Sequence, residues 1–210
     1  MTAAPLTEVE RYFTRADGSY VFARWGRPVV PVIFGLAEES LGTFKGAIEA
    51  VVALAGHRMA ETDPEMGANL MIFFCRDWAE LREVADLDGL LPDLPGLLDR
   101  LEARQANQYR RFRMEEDGAI RAGVVFLRMD AALEALPPEA LALGQAVQAL
   151  LLWSDTAFAD RPPLEAVEGR AMLRAEVAKL IRAAYDPVLP RATRDPSHAL
   201  RLAARMEVRG

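Results

Sequence analysis

Hydrophobic and polar positions in this chain follow two periods. Residues 20–25 and 29–34 are dense in β-branched and aromatic side chains and are split by Gly26, Arg27 and Pro28, which predicts strand, turn, strand. Pro31 has no N–H for a ladder, so the second strand belongs at a sheet edge or at a bulge. Over residues 38–55, Leu41, Phe44, Ile48, Val51, Val52 and Ala55 recur at helical spacing, and Gly56 ends the run. Gly42, Gly46 and Ala50 form a small-residue ridge on that helix, suited to close packing on a sheet. Residues 69–75 read as a buried strand, followed by Asp77 and Glu80 as an N-cap and its capping-box partner. Residues 90–96, with Pro92 and Pro95, look like a linker before a helix over 97–105.

Further on, residues 109–115 and 119–128 flank the turn Glu116-Asp117-Gly118 as a hairpin. Val124, Val125, Phe126 and Leu127 are apolar on both faces, which calls for a strand covered on both sides. A helix is predicted from Pro137 to about Trp153, another over residues 167–184, and a last one opening at Asp195-Pro196. The order gives an α+β fold, one domain over residues 1–210, with a helical part from about residue 137.

Composition narrows the function classes. The 210 residues are 51% hydrophobic and 27% charged, enough for one well-filled core, and the formal charge of −6 disfavours a general binder of nucleic acid. Cys75 is the single cysteine; it lies in an apolar run and reads as a small buried hydrophobe. No basic n-region with an apolar h-region opens the chain, and no window of about 18 apolar residues occurs, so the sequence reads as cytoplasmic with no membrane partner. A chain trimmed of an export signal would read the same.

The most informative stretch is residues 144–155. It has the outline of a zinc-protease helix, in which His-Glu-x-x-His sets two imidazoles one turn apart with a Glu as general base. Gly144, Gln145 and Gln148 occupy those three positions. Glycine has no donor atom, an amide oxygen is a poor zinc ligand, and Gln145 cannot act as a base. Gln148, Ala149, Leu150, Leu152 and Asp155 match the motif of an uncharacterised proteobacterial domain-of-unknown-function family, roughly Glu-Glu-x-x-Gln-Ala-Leu-Gly-Leu-x-Asn-Asp. Gln145 stands for a Glu of that motif, Leu151 for the Gly and Ser154 for the Asn. Residues 180–189, including Tyr185-Asp186-Pro187, resemble its Leu-Leu-x-x-Leu-Tyr-Asp-Pro-x-Leu segment.

The resemblance implies a zincin-like mixed sheet backed by a long helix, with the metal ligands missing and no cofactor. Leu at 151 in place of Gly predicts that the helix runs on, displacing Ser154 from a third-ligand position. In active zincins the substrate lies extended along an edge strand, so the resemblance implies that a peptide or protein segment can add to such an edge here. Residues 29–34 are the expected edge, and Gln145, Gln148, Ser154 and Asp155 the candidate cleft. The plain alternative puts Gln145 and Gln148 on the solvent side of an amphipathic helix.

Other constellations are weaker. His57 and His198 are the only histidines, too few for a histidine-based zinc site, and the dipole of the preceding helix favours an imidazolium at His57. Ser154 has no His nearby in sequence to activate it. Arg104 to Arg113 is the one basic cluster; its pattern fits a strand with Tyr109 and Phe112 towards the core and the arginines solvated. Trp25, Trp78 and Trp153 read as large core residues. A silent binding domain is therefore the leading expectation. Its alternatives are a hydrolase using acids such as Glu38, Glu39, Asp155 and Asp160, and a structural or assembly protein.

Overall fold

The computed structural model describes residues 8–208. In chain order the elements are α1 (Glu8–Arg11), β1 (Phe22–Ala23), β2 (Pro31–Phe34), α2 (Glu38–Leu54), β3 (Leu70–Cys75), α3 (Leu87–Leu90), α4 (Leu94–Ala103), β4 (Gln108–Met114), β5 (Ile120–Arg128), α5 (Ala131–Glu134), α6 (Pro138–Leu150), β6 (Leu164–Val167), β7 (Arg170–Leu173), α7 (Ala175–Ala184), β8 (Ala192–Thr193) and α8 (His198–Val208). The fold is α+β. Its central sheet has the order β2-β3-β5-β4, with β2, β3 and β5 parallel and β4 antiparallel to β5.

Strand alternation divides the core into two layers. Leu70, Ile72 and Phe74 of β3 and Val125 and Leu127 of β5 join the core built with α2, α6, α7 and α8. Phe73, Cys75, Val124 and Phe126 face the other way, onto Trp78, α3 and α4. Phe126 and Leu127 are both fully buried, one in each layer, so β5 is covered on both sides as its unbroken apolar run requires. Burying each such side chain contributes roughly 1.5–3 kcal/mol. Burial also pushes the Cys75 thiol up to about 12, which makes it an inert core group.

Helix starts and stops follow local chemistry. Asp77 accepts from the Ala79 N–H at 2.8 Å while Glu80 accepts from the Asp77 N–H at 3.1 Å, so the expected capping box opens a 3₁₀ turn over Trp78–Glu83. Gly56 stands just past the end of α2 with φ +65°, and a Cβ added there would meet nothing within 4 Å. Backbone strain is then the whole cost. Gly56→Ala is expected to lower stability by about 1 kcal/mol, seen as a lower urea midpoint at unchanged slope.

Five expectations need correction. Residues 20–25 and 29–34 do not pair: β1 pairs with β8, while β2 takes β3 as a parallel partner. Between them Arg27 is held by Asp63 at 3.3 Å and by Glu115, which carries the chain from one sheet to the other. Gly42, Gly46 and Ala50 face solvent, because Phe44, Ile48, Val51 and Val52 form the buried stripe of α2. The supposed linker is packed, with Leu91 and Leu94 buried and α4 starting at Leu94. Helix α6 stops at Leu150: Leu151 is extended, at φ −132° and ψ 157°, and pairs with Arg24. The chain leaves this helix without a left-handed residue, so no glycine is needed at that point. Finally, residues 164–173 form the hairpin β6–β7 around Glu168 (φ 50°) and Gly169 (φ 77°), and helix α7 begins only at Ala175.

Candidate binding groove

Strand β4 forms one border of the central sheet and β2 the other. Arg128 N–H donates to the Asn107 carbonyl at 2.9 Å, which sets the hydrogen-bonding phase of the antiparallel pair. By alternation the N–H and C=O groups of Gln108, Arg110 and Phe112 point away from β5, towards the open edge. Their side chains project to the α6 face: Phe112 packs edge-on to Trp25 at 6.5 Å, and Gln108 and Arg110 meet Gln145.

Beside this edge runs a groove of about 880 Å³, bounded by β4, by residues 15–17 and by residues 151–159. Its aromatic wall is Trp153, stacked on Phe13 with centroids 5.6 Å apart and edge-on to Phe158 at 4.9 Å. The Trp153 indole N–H donates to the Val147 carbonyl at 2.9 Å, which fixes the ring against the end of α6. A second hollow, of about 390 Å³, lies between α6 and the β6–β7 hairpin, and Gln148 lines both.

Gln148, Ser154 and Asp155 therefore come together on the groove. Gln145, one turn earlier, opens to the second hollow and is 3% exposed, so it is not on a solvent face. Its Nε2 donates to Gln108 Oε1 at 3.0 Å, and its Oε1 accepts from Arg110 Nη2. Arg110 Nη2 also donates to Gln108 Oε1 at 2.8 Å. Three side chains from β4 and α6 thus form a closed polar unit. Arg111 and Arg113 are solvated as expected, but Arg110 is half-buried. Burial pushes its pKa down to about 10, which leaves it a cation at neutral pH.

Ser154 and Asp155 shape the loop after α6. Ser154 Oγ lies 3.0 Å from Thr156 Oγ1 and accepts from the Thr156 N–H at 3.1 Å, and the Ser154 N–H donates to the Tyr12 carbonyl at 2.8 Å. Ser154 Oγ also donates to Asp155 Oδ1 at a long 3.4 Å, and no His, Cys or Glu lines the groove. Of Glu38, Glu39, Asp155 and Asp160, only Asp155 lines it. Among the described residues, no three His, Cys, Asp or Glu side chains group to hold a metal ion. No described helix is long and apolar enough to cross a membrane.

The histidines lie elsewhere. His57 Nε2 is 2.9 Å from the Arg27 carbonyl, and burial, with Arg24 and Arg58 nearby, holds its pKa below the usual value. Desolvation thus outweighs the helix dipole, contrary to the sequence expectation. His198 is fully enclosed against Phe22, with centroids 4.4 Å apart.

The two stretches that carry the family resemblance touch. Tyr185 O–H donates to the Leu150 carbonyl at 2.9 Å and accepts from the Trp25 N–H at 3.3 Å, which ties off the end of α6. No protein-family model matches the chain, and neither curated proteins nor solved structures give a match.

Sequence reasoning missed Arg110. Its signal is present once residues 108, 110 and 112 are placed on one strand face, because a cation then stands between a glutamine and a phenylalanine on a side that must meet α6.

Proposed function

We propose that this protein is a catalytically silent, zincin-like binding domain that takes an extended peptide or protein segment as an added strand on β4. The observation that carries this reading is the open edge of Gln108, Arg110 and Phe112 beside the groove. Three residues present about six outward main-chain groups, which matches β-strand addition, where main-chain bonds give affinity and flanking pockets choose side chains. The wall of Trp153 and Phe158 supplies apolar contact. The family resemblance supports the same reading, since zincin substrates lie extended along an edge strand. It applies to β4 and not to residues 29–34, because β2 lies at the opposite border of the sheet, away from α6. The lining offers the Gln148 amide, the Ser154 hydroxyl and the carboxylates Asp17 and Asp155, and the long 3.4 Å Ser154–Asp155 contact has no histidine beside it, which supports binding without turnover.

Amide hydrogen exchange tests this residue by residue. In the free protein the Gln108, Arg110 and Phe112 amides are expected to exchange faster than those of Tyr109, Arg111 and Arg113, whose N–H groups bond to β5. Adding a pool of randomised N-acetyl hexapeptides is expected to slow the first three alone. Unchanged exchange at all three with every pool tried, together with no retained peptide, would overturn the reading.

A further inference from the structure

We infer that the groove recognises a carboxylate on the segment it binds, with the Arg110 guanidinium as the receptor and the Gln148 amide beside it. The inference rests on the peptide-binding reading for the rest of the ligand, and Arg110 itself carries it. A half-buried guanidinium with its Nε sealed from solvent normally meets a carboxylate, because a charge partly taken out of water needs an opposite charge or a full set of acceptors. Among the described residues Arg110 has no carboxylate partner. Its Nη2 is satisfied by two neutral amide oxygens, and its Nε is sealed from solvent without any acceptor. Nη1 has neither a protein partner nor a place among the sealed atoms, and Arg110 lines the groove, so the two Nη1 hydrogens are the free donors of this cation.

The surroundings favour an anion. Gln108 and Gln145 lock the guanidinium through a mutual 3.0 Å bond, so its orientation is set before a ligand arrives. The Gln148 side chain makes no hydrogen bond with a described residue and lines the same groove, leaving its Nε2 hydrogens for a second carboxylate oxygen. Arg15, Arg110 and Arg111 line the groove against the two carboxylates Asp17 and Asp155. In a chain of formal charge −6 this groove is locally cationic. The carboxylate can come from the C-terminus of a peptide or from an Asp or Glu side chain, and the test separates the two.

The full chain is immobilised and offered four pools of N-acetyl hexapeptides, as free acids or C-terminal amides, each with and without Asp and Glu. Retained peptides are quantified by mass spectrometry. Carboxylate-bearing pools are expected to be retained about tenfold better than the neutral amide pool, a size typical of one charge-assisted contact. Arg110→Met, checked for folding by circular dichroism, is expected to abolish that preference, so that carboxylate-bearing and neutral pools are retained alike. Arg110→Lys keeps the charge and is expected to restore part of it. Preference for free acids over amides in the pools without Asp and Glu identifies the C-terminus; preference for Asp and Glu that survives amidation identifies a side chain. Equal retention of all four pools would overturn the carboxylate inference and leave the peptide reading standing. If no pool is retained, the peptide reading falls. N-acetyl-phenylalanine and its amide then decide the carboxylate alone: shifts of the Arg110 and Gln148 side-chain resonances with the acid only would uphold it, and no shift with either would overturn it.

Discussion

Gln145→Met is expected to destabilise the protein by about 2–4 kcal/mol, and Arg110→Met added to it is expected to recover most of that loss. The two side chains have nearly the same reach, so little cavity or overpacking cost enters. What changes is hydrogen bonding around a half-buried cation. Gln145 Oε1 is one of two acceptors for Arg110 Nη2, and Arg110 Nε already has none. Taking that oxygen away leaves Nη2 with a single neutral acceptor beside an Nε that has none, so that only the groove-facing Nη1 stays open to water, which costs more than an ordinary lost hydrogen bond. Removing the charge as well leaves only the Gln108 amide, which is half-buried and can reach water. Arg110→Met alone should cost about 1 kcal/mol, since Gln145 then loses one bond and keeps the other to Gln108. Urea unfolding of the two single variants and the double variant gives the coupling, expected to be about 2 kcal/mol or more in favour of the double. Additive effects would mean that Arg110 is not held by Gln145.

That unit also shows where sequence reading succeeds and where it stops. Local chemistry was legible: the capping box of Asp77 and Glu80, the hairpin around Gly118, the Gly56 stop and the apolar run of β5 all depend on residues near in sequence. Phe44, Ile48, Val51 and Val52 marked the buried face of α2 for the same reason. Choices made by distant partners were not legible. Nothing in residues 20–34 says that β1 pairs with β8, a partner about 170 residues away, or that β2 prefers a parallel neighbour. Leu151 made continuation of α6 the natural reading, yet the Leu152 N–H donates to the Ala23 carbonyl at 2.9 Å, and that strand-like pairing ends the helix. The period over residues 167–184 was misread because Glu168-Gly169 is a two-residue turn whose value shows only when both flanks are allowed to be strands. Of the candidate site, Gln148, Ser154 and Asp155 line one groove, and Gln145 opens to the other hollow. Pro31 marked β2 as an edge strand and β2 does lie at one border of the sheet, but that β4 forms the other border was not legible, because sheet order depends on which strands meet and not on how apolar each is.

His198 should make stability depend on pH between about 6.5 and 4. The ring is fully enclosed and neither nitrogen has a hydrogen-bond partner among the described residues, so burial first, and Arg201 and Arg24 after it, push the imidazole down to about 4, against the opposing pull of Asp195. In the unfolded chain the same group titrates near its ordinary value of 6.5. Between those values the unfolded state binds a proton that the folded state refuses. The contribution of this group to stability is therefore fully present above pH 6.5 and is lost as pH falls towards 4, by roughly 3 kcal/mol in all. Carboxylates such as Asp63 and Asp130, held below their usual values by hydrogen bonds, add their own losses at lower pH. A variant comparison removes them. His198→Leu keeps the volume and the apolar contact with Phe22 but has no proton to refuse, and it also deletes two unsatisfied ring nitrogens. Melting temperatures from pH 8 to 4.5 are expected to converge at the alkaline end or to favour the variant slightly, and to separate below pH 6.5 with the variant the more stable. Parallel curves across the whole range would mean that His198 protonates in place, which the closed packing of Phe22 around it does not allow without local opening.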